Sequence, residues 1–153
     1  KNQSNKPEAK VYFVASGTQA NLVSIASFLK PFESIITADT GHPNKFEAGA
    51  IEATGHKLNV ATGIDGRLTP ESILKIVQAH TDEHMVKPKA VFISQATELG
   101  TIYSKKQLEE ISTLCKENGL YLYTDGARLG SALWLKMQIM TLKQLQIYLT
   151  CFI

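Results

Sequence analysis

Short apolar runs alternate with helical segments along the whole chain, and few architectures accept that order. Residues 11–14 (Val-Tyr-Phe-Val) form a continuous apolar run, the mark of a strand buried on both faces. Residues 34–38 and 90–94 read as further strands, 57–61 as a weaker one, and 120–124 as the last clear one. Between them lie segments of helical period. Strands that alternate with helices imply parallel pairing through right-handed crossovers. The expected fold is α/β, a three-layer αβα sandwich with a mainly parallel sheet.

The helices carry their own start and stop signals. Around residues 19–30, Leu22, Ile25, Ala26 and Leu29 fall at i, i+3, i+4 and i+7, with Val23 and Phe28 widening the stripe. That helix is expected to be largely buried, and Pro31 helps end it. A short helix is expected over 46–53. Thr69-Pro70-Glu71 supplies an N-cap, a proline at the first helical position and an acid in the first turn. Ile73, Ile76 and Val77 give that helix its inner face. Ser104 to Gln107 has the form of a capping box, and Leu108, Ile111, Leu114 and Cys115 point inward before Asn118-Gly119 closes the helix. Asp65-Gly66 reads as a turn.

Composition excludes several function classes. The chain has 153 residues, with 16 basic and 14 acidic side chains and a net charge of +2, so no strong field draws nucleic acid or an anionic membrane. No apolar run is long enough to span a bilayer. Cys115 and Cys151 form no disulfide framework, which makes a reducing, cytoplasmic setting the default. No Cys/His cluster has metal-site spacing. The chain has no initiator Met and ends within the apolar stretch YLTCFI, as expected of a piece cut from a longer protein.

Parallel α/β sheets bind ligands beyond the carboxyl ends of their strands. Ser16-Gly17-Thr18 follows the first expected strand, His42 the second, Gln95 to Glu98 the fourth, and Asp125-Gly126-Ala127-Arg128 the fifth. Alone, Ser-Gly-Thr is a helix cap, Asp125-Gly126 a turn, and Arg128 a surface charge. His56, His80 and His84 carry no functional signal. Together the strand-end residues offer an anion cradle, an aromatic ring, a carboxylate and a cation on one rim. A phosphorylated cofactor containing a ring would use all four.

FVASGTQANL, then GHPNKFEAGA, then DGARLG, in that order, resembles the threonine aldolase family, grouped with the aromatic amino acid β-eliminating lyases. These are fold-type-I enzymes that use pyridoxal 5'-phosphate (PLP), and the resemblance runs from about residue 11 to 133. It implies that Ser16, Gly17 and Thr18 hold the PLP phosphate, where helix N–H groups favour a dianion and glycine allows close approach. It implies that His42 stacks on the pyridine ring and assists proton transfer, and that Asp125 pairs with the ring nitrogen and keeps it protonated. Arg128 would lie near the phenolic oxygen. Glu47 matches the family's acidic residue after the histidine, without an assigned role. The implied reaction is retro-aldol cleavage of threonine, allo-threonine or a related β-hydroxy amino acid to glycine and an aldehyde, by a homo-oligomer.

The chain departs from the family in places. Gln95-Ala96-Thr97-Glu98 stands where some members have an E-N-T-H-like stretch, so Glu98 replaces a histidine. Residues 1–153 are expected to be part of the PLP-binding large domain. The N-terminal substrate-binding segment, the Schiff-base lysine region and the small C-terminal domain are expected to be missing. Lys136 and Lys143 are the only lysines after Asp125, and neither has the G-G-T-K-like context of the family lysine. The isolated chain is therefore expected to be inactive. The competing readings are a phosphate- or nucleotide-binding α/β module without PLP chemistry, and a non-catalytic fragment.

Overall fold

The computed structural model describes residues 10–134 and 151–152. Along the chain run α1 (Gly17–Phe28), β1 (Glu33–Ala38), α2 (His42–Lys45), α3 (Ala50–Ala53), β2 (Leu58–Ala61) and α4 (Pro70–Ala79). Then follow β3 (Lys87–Ser94), α5 (Lys105–Glu117), β4 (Tyr121–Asp125), α6 (Leu129–Trp134) and β5 (Cys151–Phe152). The strands form one sheet in the order β2-β1-β3-β4-β5, and every pairing is parallel. The expected α/β sandwich is the observed one.

Each face of the sheet buries its own core. On one, Ile25 of α1, Leu29 at its C-cap and Ile51 of α3 pack against Ile35, Ala90, Phe92 and Tyr123. On the other, Ile73 of α4 and Leu108, Ile111 and Cys115 of α5 cover Ile36, Val91, Ile93 and Leu122. Neighbours along a strand point to opposite faces, which is why Ile35 and Ile36 serve different cores. Full burial of each such aliphatic side chain stabilises by about 1.5–3 kcal/mol.

The caps form as their residues dictate. Ser104 and Gln107 bond reciprocally at the start of α5. Thr69 caps α4 with Ser72 as its partner. Asp65 and Gly66 both take positive φ, 50° and 78°, in the turn that lets Ile64 bridge to Arg67.

Three expectations need correction. Residues 11–14 are not a buried strand: they run as irregular, exposed chain, with Phe13 97 % accessible. An apolar run becomes a strand only where a neighbour takes up its backbone groups, and no strand among the described residues lies beside it. The buried stripe of α1 is turned by one residue, to Asn21, Ile25 and Leu29, while Val23 and Ala26 face outward. That helix lies on one face of the sheet, over β1, β3 and β4, and its outer face has no cover among the described residues. Finally, Cys151–Phe152 adds a strand beyond the last one expected, paired with Tyr123 and Thr124. Lys136, Lys143 and the stretch TLKQLQIYL lie outside the described residues.

The chain passes from β1 to β2 on one side, then crosses back to place β3 on the other. The connections after β1 and β3 therefore diverge, and a crevice opens between the two carboxyl ends. His42 follows β1 at this point, and Glu98 follows β3.

Candidate active site

Asp125 is the last residue of β4 and is buried. Its Oδ1 accepts the backbone N–H of Ala127 at 2.8 Å, a short loop that turns the chain out of the sheet. Its Oδ2 has one distant donor among the described residues, Nδ2 of Asn21 at 3.4 Å. One oxygen is committed to the turn, and the other is available.

Ser16 caps α1 by accepting the N–H of Gln19 at 3.1 Å. The first N–H groups of a helix have no intrahelical acceptor, so those of Gly17 and Thr18 are offered outward. A Cβ built on Gly17 would meet nothing within 4 Å, so the glycine borders open space. A cavity of about 390 Å³ is lined by Ser16, Gly17, Ala20, Asp125 and Ala127, with Tyr12 to Val14 closing part of its wall. The helix terminus and the strand-end carboxylate thus share one cavity. Thr18 is half-buried in the first turn and does not line it.

His42 opens α2 after Gly41, whose position is fixed by crowding. A Cβ there would collide with Oγ1 of Thr37 and come to 2.9 Å from the carbonyl oxygen of Ala38. The imidazole lies between two carboxylates, Nδ1 at 3.7 Å from Oε1 of Glu98 and Nε2 at 4.0 Å from Oε1 of Glu47. Phe46 flanks it, with ring centroids 5.5 Å apart. Glu98 accepts from Oγ of Ser94 at 2.9 Å and from Nη1 of Arg128 at 3.3 Å. His42 and Arg128 therefore converge on Glu98.

A buried polar network completes the path to Asp125. Nδ2 of Asn21 donates to Oε1 of Glu47 at 2.5 Å, and Oδ1 of Asn21 accepts from the Tyr123 hydroxyl at 2.9 Å. The contacts run without a break from Asp125 through Asn21, Glu47, His42 and Glu98 to Arg128. Burial raises the Glu47 carboxyl above its ordinary 4.5, and Asp125 and Glu52 add to this; the Asn21 bond and His42 oppose it. Oε2 of Glu47 and Nδ1 of His42 are buried without a hydrogen-bond partner among the described residues. Such groups are expected to gain partners when a polar ligand binds.

Sequence reasoning missed Asn21 and Tyr123. The signal was present: Asn21, Ile25 and Leu29 are spaced by four, so a polar residue stands on the apolar stripe of α1. The remaining histidines are engaged elsewhere: buried His56 bonds the backbone carbonyl of Glu33, and His80 and His84 bond locally to Ile76 and Asp82. Among the described residues, no helix is long and apolar enough to cross a membrane.

Known proteins similar to this chain fall in one family and one fold. The low-specificity L-threonine aldolase of Pseudomonas aeruginosa is 41% identical over 127 residues, which are 82% of this chain and 37% of that protein. The structure of Leishmania major threonine aldolase superposes with a TM-score of 0.96 at 44% identity, covering 99% of this chain and 44% of that one. An aromatic aminotransferase from Pyrococcus horikoshii shares the fold, with a TM-score of 0.64 at 22% identity over 80% of this chain and 32% of its own. The chain thus spans less than half the length of the proteins it matches. The model of the beta-eliminating lyase family matches residues 6–148, nearly the whole sequence and all three motifs, and the chain belongs to that family.

Proposed function

We propose that this chain is the central part of the large domain of a PLP-dependent lyase that cleaves threonine or related β-hydroxy amino acids to glycine and an aldehyde. One observation carries the reading: a buried strand-end carboxylate and an open helix N-terminus line the same cavity, which suits a phosphorylated ring with a basic nitrogen. The unfilled space at Gly17 and the two unpartnered buried atoms of Glu47 and His42 support it.

In this reading Ser16, Gly17 and Thr18 hold the phosphate through the first-turn N–H groups and the positive helix end. His42 would cover the cofactor ring, Asp125 would favour a proton on its nitrogen, and Arg128 would favour the anionic form of its phenolic oxygen. When bound, PLP supplies an electron sink for the breaking Cα–Cβ bond. His42 takes the β-hydroxyl proton, and Glu47 and Glu98 on either side of its ring balance the charge it gains. The lysine that anchors the cofactor and the arginine for the substrate carboxylate belong to other parts of the full protein. That protein is a cytoplasmic homo-oligomer.

Titrating the full-length protein with PLP and, separately, with a nucleotide tests this, together with assaying acetaldehyde release from threonine. PLP binding and acetaldehyde are expected. Nucleotide binding without PLP binding would replace the proposal with a phosphate-binding module.

A further inference from the structure

We propose that Asn21 is a positioning residue of this site: its single amide ties the Glu47 and Asp125 carboxylates together and leaves Oδ2 of Asp125 available to a donor. The amide has two hydrogens and one acceptor oxygen, and all find use. The Tyr123 hydroxyl donates to Oδ1, so Nδ2 must face the carboxylates; the reversed amide would set oxygen against oxygen. One hydrogen goes to Glu47 at 2.5 Å, and the other reaches towards Asp125 at 3.4 Å. The asymmetry matters. Asn21 is bound closely to Glu47 and only loosely to Asp125, whose other oxygen is held by the N–H of Ala127.

Every member of this group is buried. Asn21 is 1 % and Glu47 4 % accessible, and Asp125 and Tyr123 are enclosed as well. Two buried carboxylates that share one donor repel each other, and a neutral donor between them relieves the repulsion without adding a competing positive charge. The groups facing Glu47 are Asn21, His42, Asp125 and Glu52. A change at Asn21 is therefore felt at Glu47, and through it at His42. Asn21 touches no reacting atom in this scheme and acts through the two acids. Only its consequence for the cofactor rests on the PLP reading above.

The test uses the full-length protein with Asn21→Ala and Tyr123→Phe. Carbon-detected NMR follows the Glu47 and Asp125 carboxyls through a pH titration without cofactor, with Glu47→Gln and Asp125→Asn to assign the signals. Fluorescence titration then measures PLP affinity. Asn21→Ala is expected to move the Glu47 midpoint further up, because the charged form loses its donor. PLP affinity is expected to fall roughly tenfold or more. Tyr123→Phe, which frees the amide while keeping the ring, is expected to move both in the same directions by less. It decides the matter if Asn21→Ala does not fold. Unchanged Glu47 and Asp125 titrations in a folded variant would overturn the proposal, even if stability fell, since a purely structural Asn21 would behave that way. If the titrations move but the parent protein binds no PLP, the cofactor reading fails and the role of Asn21 stands.

Discussion

Nη1 of Arg128 lies 3.3 Å from Oε1 of Glu98, across the carboxyl ends of the neighbouring strands β4 and β3. The carboxylate is enclosed and the guanidinium is 43 % exposed, so water screens the pair, and its direct contribution to stability is at most about 1 kcal/mol. Its use is orientation: the same oxygen accepts from Ser94 and faces His42. Glu98→Gln keeps the shape and removes the charge. Unfolding free energy is expected to stay within about 1 kcal/mol of the parent. Threonine cleavage is expected to fall roughly tenfold or more, the scale of losing one charge-assisted hydrogen bond. Equal turnover in the two proteins would detach Glu98 from the site.

Two glycines, Gly41 after β1 and Gly17 at the start of α1, should respond in opposite ways to the same added methyl group. Gly41→Ala drives a methyl into Thr37 and the Ala38 carbonyl in a packed turn, with a cost of about 1–3 kcal/mol that urea unfolding would register. Gly17→Ala meets open space at the start of α1. Its stability should be unchanged or higher by up to about 1 kcal/mol, since alanine loses less backbone entropy. Its affinity for PLP should nevertheless fall, because the methyl fills the space in which the phosphate is proposed to sit. Full PLP affinity in Gly17→Ala would place the phosphate elsewhere.

Asp125→Asn separates charge from shape. The Ala127 N–H can still be accepted by the amide oxygen, so the turn after β4 survives and the melting temperature should move little. An amide cannot hold a proton on a ring nitrogen as a carboxylate does, and turnover should drop by roughly two orders of magnitude. Parallel measurement of melting and threonine cleavage would show whether the loss is confined to chemistry.

Much of this was legible because it depends on short-range rules. Thr69 and Ser104 cap helices through neighbours three residues away, and Asp65-Gly66 turns on its own φ angles. Ile35, Ile36, Val91 and Phe92 are buried in strands covered on both faces, which their apolar runs announced. What was not legible depends on distant partners. Residues 11–14 have the composition of a strand, but strand formation needs a neighbour that the run itself does not encode. Asn21 and Glu47 are 26 residues apart, and Asn21 and Tyr123 102, so their hydrogen bonds exist only once the sheet has assembled. The inner stripe of α1 was misplaced by one residue for a related reason. Hydrophobicity favoured Leu22 over Asn21, whereas the network placed Asn21 inside.

Glu47 gives a prediction that depends on pH alone. Burial raises its folded-state carboxyl above the ordinary 4.5, so the folded chain binds that proton more tightly than the unfolded chain. The stability this contributes is complete below 4.5 and is lost as pH rises through the interval between that value and the raised one. Glu47→Gln cannot titrate, yet its amide oxygen can still accept from Nδ2 of Asn21. Relative to the parent, the variant should therefore gain stability as pH rises above 4.5, through the interval in which the folded parent still holds the proton. Urea unfolding of both proteins without cofactor, at several pH values across that span, would measure the difference directly, and other titrating groups cancel in the comparison. Curves that run parallel throughout would mean that Glu47 ionises in the folded chain as freely as in water, and the buried acid beside His42 would lose its proposed role in balancing the imidazolium.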